Sequence, residues 1–276
     1  MESTLTNIEK ICDHDIIPVL LSESIGRELI ATNMELSGKG IGNSLATPVD
    51  ATQETKAKIP RRTFEEWKLQ DPTDYYVIQR IKDCARQMAK QVTAEIDKTI
   101  IQGWTSENGN EVKGFFKIAG LSHPGHDFGT YGGAQDTVAE GIKQLMCNHI
   151  HSRWYNLVIN PEQYNELFLS EKGPKTNEFA KVIHILNQAE TGGPGKVYAT
   201  EHLDPGTGFI SPVANSANMV YYDLIEAQQP KHYLMYANGD KDLGDIILSL
   251  KGAVTPRFGC LNPDGLSPAV CKFTDI

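Results

Sequence analysis

Residues 71–103 read DPTDYYVIQRIKDCARQMAKQVTAEIDKTIIQG. Asp71 is placed to cap a helix and Pro72 to occupy its first position, where a missing N–H costs nothing. After them Ile78, Ile81, Ala85, Met88, Val92, Ile96 and Ile100 recur at spacings of three and four until Gly103 stops the run. The pattern predicts one long helix, on the order of 45 Å from end to end. Arg80, Lys82, Arg86, Lys90, Glu95 and Lys98 occupy its other faces, so a single apolar stripe packs against something broad, such as a sheet.

Upstream of this helix the pattern changes. Residues 37–62 hold Gly38, Gly40, Gly42, Pro48 and Pro60 in a polar run with only scattered Ile41, Leu45, Val49 and Ile59. Such a stretch cannot make a core by itself, and a structureless loop of about 25 residues inside a compact domain is improbable. It is either disordered or an extended arm whose partner lies elsewhere, which is the first sign of assembly. Before it, residues 7–34 space Ile8, Ile11, Ile16, Leu20, Ile25 and Leu29 as two short amphipathic helices broken near Pro18.

Downstream, residues 104–133 are glycine-rich and irregular, and a helix is expected over 135–150. Residues 155–159 read as a buried strand. Asn160 and Pro161 then cap a short helix reaching Leu169, with Gln163 at the reciprocal capping position. A helix over 177–189 places Phe179, Val182, Ile183 and Leu186 on one face and is cut off by Thr191, Gly192, Gly193, Pro194 and Gly195. Strands follow at 197–200, 219–224, 232–236, 246–254 and 269–273. Helices interleaved with strands in the middle, and strands gathered at the end, indicate an α+β protein with two subdomains.

Composition narrows the function. The chain has 276 residues, 26 basic and 35 acidic side chains and a formal net charge of −9. A protein that neutralises phosphates shows clustered Lys and Arg, whereas the densest basic stretch here, Lys56, Lys58, Arg61 and Arg62, runs straight into Glu65 and Glu66. The five cysteines, Cys12, Cys84, Cys147, Cys260 and Cys271, form no CxxC pair, so free thiols in a reducing cytosol are expected. Residues 1–12 carry Glu2, Glu9 and Lys10 in place of a basic and then apolar leader, and no run approaches about 18 apolar residues. Neither a signal peptide nor a membrane span is expected.

The candidate chemical motifs are sparse. Gly192, Gly193, Pro194, Gly195 and Lys196 resemble a phosphate-binding loop, but Val197 stands where Ser or Thr is needed, and the loop follows a helix instead of preceding one. Gly38, Gly40 and Gly42 lack a preceding strand. His123, His126 and Asp127, or Cys147 with His151 four apart on a helical face, could supply metal ligands, yet neither set has paired short-spaced couples. No Ser stands in a GxSxG elbow and no carboxylate pair is suggested by spacing. The inventory is that of a non-enzyme with no metal site. Of the aromatics, Phe64, Tyr75, Tyr76, Tyr221 and Tyr222 fit core packing, and Trp67, between arm and long helix, also fits a subunit boundary.

The order of elements resembles the HK97-type shell fold, and within it the encapsulins, a family of nanocompartment shell proteins. The phrases that carry the likeness are Gly26-Arg27-Glu28-Leu29-Ile30, Thr63-Phe64-Glu65-Glu66-Trp67-Lys68-Leu69, Ala85-Arg86-Gln87-Met88-Ala89 and Ile101-Gln102-Gly103. Ala119-Gly120-Leu121, Tyr155-Asn156-Leu157-Val158-Ile159-Asn160-Pro161 and Leu261-Asn262-Pro263 continue it over nearly the whole chain. The resemblance implies an N-terminal helical segment (1–36), an E-loop arm (37–62) lying on a neighbour, a peripheral domain around the spine helix (63–119 and 241–276) and an axial domain (120–240). It also implies a non-enzymatic, icosahedral homo-oligomer in the cytoplasm.

By the same resemblance, Ile8, Ile11 and Ile16 line a groove for a short C-terminal peptide of a cargo protein, ferritin-like or a peroxidase. Glu190, Thr191, Gly192, Gly193, Pro194 and Gly195 form the loop at the fivefold pore. No cofactor is required, although a Trp matching Trp67 stacks a flavin in some encapsulins. The alternative is the major capsid protein of a virus or provirus with the same fold. The acidic balance and the lack of a basic tail favour a protein-filled particle with little nucleic acid.

Overall fold

The computed structural model describes residues 23–29, 47–48, 51–60, 75–105, 111–169, 178–213, 223–225, 231–237, 245–254, 257–259 and 267–276. The helices are α1 (Ile25–Leu29), α2 (Tyr75–Gln102), α3 (Phe115–Ile118), α4 (Gly133–Cys147), α5 (Pro161–Leu169) and α6 (Glu178–Leu186). The strands begin with β1 (Thr47–Pro48), β2 (Ala51–Pro60), β3 (Gly103–Thr105), β4 (Glu111–Lys113), β5 (Ala119–Pro124), β6 (Tyr155–Ile159) and β7 (Val197–Ala199). They end with β8 (Thr207–Pro212), β9 (Asp223–Ile225), β10 (Lys231–Ala237), β11 (Asp245–Val254), β12 (Arg257–Gly259) and β13 (Ser267–Thr274). No described helix is long and apolar enough to cross a membrane.

The chain divides into two compact units, one of Met1–Ser24, Pro48–Ile96 and Glu226–Arg257, the other of Ile25–Thr47, Asp97–Ile225 and Phe258–Ile276. Helix α2 runs unbroken for 28 residues, about 42 Å, and contributes to both. Within the first unit it buries Cys84, Ala85, Ala89, Thr93 and Ile96, and within the second Asp97, Thr99, Ile100 and Ile101. Arg80, Arg86, Lys90, Glu95 and Lys98 are exposed, as the spacing requires. The buried face is wider than the apolar stripe because small and hydroxyl side chains extend it. Asp71 and Pro72 lie outside the described residues, as do the side chains of Ile78, Ile81, Met88 and Val92.

In the first unit, β10, β11 and β2 form an antiparallel sheet with β11 in the middle. Strand β2 pairs with β11 over ten residues, from Ala51 opposite Val254 to Pro60 opposite Asp245. Of the two alternatives for the arm, this part is extended, and its backbone pairs with β11 of the same chain. The reason is that a ladder satisfies N–H and C=O groups whatever the side chains are, so a polar strand needs no apolar core of its own. Residues 37–46 and 61–74 lie outside the described residues.

The second unit is built on a five-stranded sheet of order β5-β13-β8-β6-β7. Strand β6 is buried at all five positions and pairs antiparallel with β8 and parallel with β7, so four of its five residues are large and apolar, with Asn156 the buried polar exception. Its Leu157, Val158 and Ile159 are fully buried, each contributing about 1.5–3 kcal/mol relative to an exposed position. Helix α4 lays Ala134, Val138, Ile142 and Leu145 into the same core, which also holds Phe128, Val182, Leu186, Ile210 and Phe273. Strand β11 belongs to the first unit and β13 to the second, where Ala269, Val270, Cys271 and Phe273 are fully buried on the strand that pairs with β5 and β8.

Two local expectations are corrected. The irregular stretch after α2 contains the β3–β4 pair, α3 and β5. The helix expected over 135–150 spans Gly133–Cys147, because Asn148 donates its backbone N–H to the last turn and His149 enters the left-handed region at φ 64°.

Candidate functional site

The turn after α6 is the sequence-selected site that the structure describes in full. Helix α6 ends at Leu186, and the next residue, Asn187, is buried. Its Nδ2 donates to the carbonyls of Ile183 at 2.9 Å and Gly195 at 3.0 Å, while its Oδ1 accepts the Gly195 N–H at 2.8 Å. One side chain thus closes the helix end and both backbone groups of the residue that closes the turn. Gln188 and Ala189 adopt φ of 48° and 68°, Gly192 adopts 80°, and the amides of Gln188 and Ala189 return to Ile185 and His184.

The glycines have separate reasons. A Cβ on Gly193 would stand 2.2 Å from Asn187 Oδ1, and one on Gly195 would stand 2.6 Å from the Tyr155 carbonyl oxygen. Neither position admits a side chain while the Asn187 bracket is in place. Thr191, Gly192 and Pro194 are exposed at the tip.

Neighbouring charges lock the flanks. Glu190 accepts from Arg153, whose Nε lies at 2.8 Å and whose second guanidinium nitrogen also contacts the carboxylate, and from Trp154 Nε1 at 2.9 Å. The hydrogen bonds from Arg153 and then Trp154 hold the Glu190 carboxyl below its usual range. Gln188 Nε2 donates to the Ser152 carbonyl at 2.7 Å, so residues 152–154 grip the start of the turn. At its far end, Lys196 Nζ pairs with Glu28 at 2.8 Å, and the Tyr198 hydroxyl donates to the same carboxylate oxygen.

Glu28 sits on α1, whose first amides are held by α2. Asp97 accepts the N–H of Ile25 at 3.1 Å and of Gly26 at 2.8 Å, capping α1 from outside its own segment. Replacing Asp97 by alanine is expected to free α1. The loss of about 1–2 kcal/mol corresponds to roughly tenfold faster tryptic cleavage after Arg27, read by limited proteolysis, with Asp97→Asn intermediate.

Burial acts to raise the Glu28 carboxyl, but hydrogen bonds from Lys196 and Tyr198 outweigh it and hold the group below its ordinary 4.5. Tyr198 is pushed upward, first by burial and then by Glu28. A carboxyl depressed in the folded state stabilises above its ordinary value and loses that contribution as pH falls through the lowered one. Glu28→Gln is therefore expected to be less stable than the natural chain at pH 7, within about 1 kcal/mol because the pair is solvent-screened. Urea titrations should show the gap closing below pH 4.5.

The other sequence candidates do not converge. Among the described residues no group of three His, Cys, Asp or Glu is placed to hold a metal ion. His123 is buried with Nδ1 hydrogen-bonded to the Pro124 carbonyl at 2.6 Å, His126 is exposed with Nε2 3.6 Å from Glu140, and Asp127 Oδ1 accepts the Gly129 N–H. Cys147 ends α4, so His151 does not share a helical face with it. Gln163 does not turn back to Asn160; its Oε1 accepts the Gly206 N–H at 3.1 Å, while Asn160 does cap α5 through the Glu162 N–H at 2.9 Å. Ile8, Ile11, Ile16, Trp67, Gly38, Gly40 and Gly42 lie outside the described residues.

No local sequence pattern marks Asn187, Arg153, Trp154 or the Glu28 cluster. Only the glycine punctuation marked the place; Glu28 and Lys196 are 168 positions apart, and no local pattern connects them.

No protein-family model matches the chain, and no curated protein does. Among solved structures it resembles the virus-like particle from Pyrococcus furiosus, with 10% identity, 96% of this chain and 98% of that one covered, and a TM-score of 0.53. The Mycobacterium phage Che8 structure aligns at 12% identity over 91% of this chain and 90% of its own, with a TM-score of 0.48. The capsid of Myoviridae phage XM1 aligns at 12% identity over 91% of each, with a TM-score of 0.45. At such identities the likeness is one of fold, and the Pyrococcus particle carries it. Over nearly its whole length this α+β chain has the fold of that particle's protein, the HK97-type fold that its order of elements implied.

Proposed function

We propose that the chain is the shell subunit of a self-assembling, closed protein compartment of the encapsulin kind, which takes up a cargo protein and is not itself an enzyme. The observation that carries this reading is the reciprocal coverage of the Pyrococcus furiosus virus-like particle, 96% of this chain and 98% of that one, at a TM-score of 0.53. A closed shell requires heterologous contacts whose rotations close, since open head-to-tail contacts give filaments. Contacts of this obligate kind bury more than about 2,000 Å² between neighbours.

In this reading the turn formed by Glu190, Thr191, Gly192, Gly193, Pro194 and Gly195 borders an opening on a symmetry axis, and the Asn187 bracket keeps its shape constant from copy to copy. Ile8, Ile11 and Ile16 supply the groove for the cargo peptide and Trp67 the flavin platform, both following from the sequence resemblance. The net charge of −9 favours protein contents over a genome. Particles purified after nuclease treatment are expected to show the absorbance ratio of protein and, by mass spectrometry, one co-purifying protein with a short apolar C-terminal tail. An absorbance ratio typical of nucleoprotein, with no second protein, would overturn the compartment reading in favour of a capsid.

A further inference from the structure

The stretch from Asn187 to Tyr198 contains two formal charges, Glu190 and Lys196, and each is matched by a partner from another segment. Glu190 is held by Arg153 and the Trp154 indole, and Lys196 by Glu28. The exposed tip, Thr191, Gly192 and Pro194, offers a hydroxyl, backbone and a pyrrolidine ring. Because Asn187 fixes the backbone between Leu186 and Gly195, this presentation is a built feature of the turn.

We infer that the turn is an electrically neutral lip, so that the opening it borders sorts small solutes by size and not by the sign of their charge. This rests on the reading of the chain as a shell subunit whose turn borders an opening. A ring of unpaired carboxylates would focus cations and exclude anions, because low-dielectric walls concentrate the field of like charges. Paired charges present dipoles, whose field is spent within about a Debye length, ~8 Å at physiological salt. Arg153 is thus a specificity-determining residue although it lies outside the turn: it cancels the one carboxylate that the turn itself carries.

The test uses particles of the full chain reassembled around a pyrene-labelled dextran too large to leave, with stopped-flow quenching measured separately for potassium iodide, thallium(I) nitrate and uncharged acrylamide at constant ionic strength set with potassium nitrate. In the natural particle, iodide and thallium are expected to enter at rates within about twofold of each other. Arg153→Gln unmasks Glu190 and is expected to raise the thallium-to-iodide ratio about tenfold, Glu190→Gln to lower it, and the double variant to restore it, with acrylamide unchanged throughout.

Thr191→Asp and Thr191→Lys place a charge directly on the exposed tip and test the underlying reading. If these two shift the ratio in opposite directions while Arg153→Gln and Glu190→Gln leave it unmoved, the turn borders the opening but the neutral-lip inference is wrong. If the Thr191 variants are also silent in intact particles, the turn borders no opening and the inference falls with that reading. A natural particle that already separates iodide from thallium by about tenfold would overturn it outright.

Discussion

Phe209→Ala is expected to lower the stability of the chain by about 3–5 kcal/mol, which is a large part of the ~5–15 kcal/mol that a domain commands. Phe209 is fully buried on β8, opposite Lys272 of β13 on one side and Val158 of β6 on the other. Its ring lies 5.7 Å from that of Phe115, nearly parallel at 9°, so α3 is tied to the sheet through this pair. Truncation removes the buried ring and leaves a cavity in the middle of a five-stranded sheet, where neighbours on both sides are hydrogen-bonded and cannot collapse inward. Urea unfolding at a fixed low protein concentration measures it, since assembly would otherwise add a concentration-dependent contribution. A loss below about 1 kcal/mol would show that β8 is not a central strand.

Asn187→Ala is expected to cost about 2–4 kcal/mol without exposing any apolar surface. It deletes three hydrogen bonds and strands the Gly195 N–H and carbonyl beneath a buried lining. Asn187→Asp keeps the acceptor for the Gly195 N–H, loses both donors and adds a buried charge, so it is expected to be no milder. Hydrogen exchange gives the decisive readout: the Gly195 amide should lose its protection in the variants, while those of Leu157 and Ile159 in β6 keep theirs. Unchanged protection at Gly195 would mean that Asn187 does not hold the turn.

The contrast between these two sites explains what the sequence reveals. Strand β6 and helix α5 fall where the pattern puts them, Tyr155–Ile159 and Pro161–Leu169, because a run of buried residues ends at a proline and an asparagine that caps. The long α2 is legible for a similar reason, a sustained three-and-four spacing with Gly103 beyond it. Strand β8 is not legible: Phe209 and Ile210 are its only large apolar residues, and Gly206, Gly208 and Pro212 around them read as a turn. It becomes a strand because β13 and β6 are present on either side to pair with it, which is tertiary context.

The candidate site shows the same division. The glycines and proline of the turn announce that the chain reverses there, whereas the side chains that fix it come from a buried asparagine, from residues 153 and 154, and from α1. Gln163 is instructive in the opposite direction. Its spacing from Asn160 satisfies the reciprocal cap, yet the Gly206 amide is the better-placed donor once α5 and the segment before β8 are together. Local rules propose partners, and the packed structure chooses among them.

If this fold closes a shell, the chain in solution is one heavy particle and not a monomer, and its native mass decides between the two. Native mass measurement at micromolar concentration is expected to give one narrow species many tens of times heavier than the 30.5 kDa chain, stable to dilution. A stable monomer of 30.5 kDa under the same conditions would mean that the chain does not build a shell.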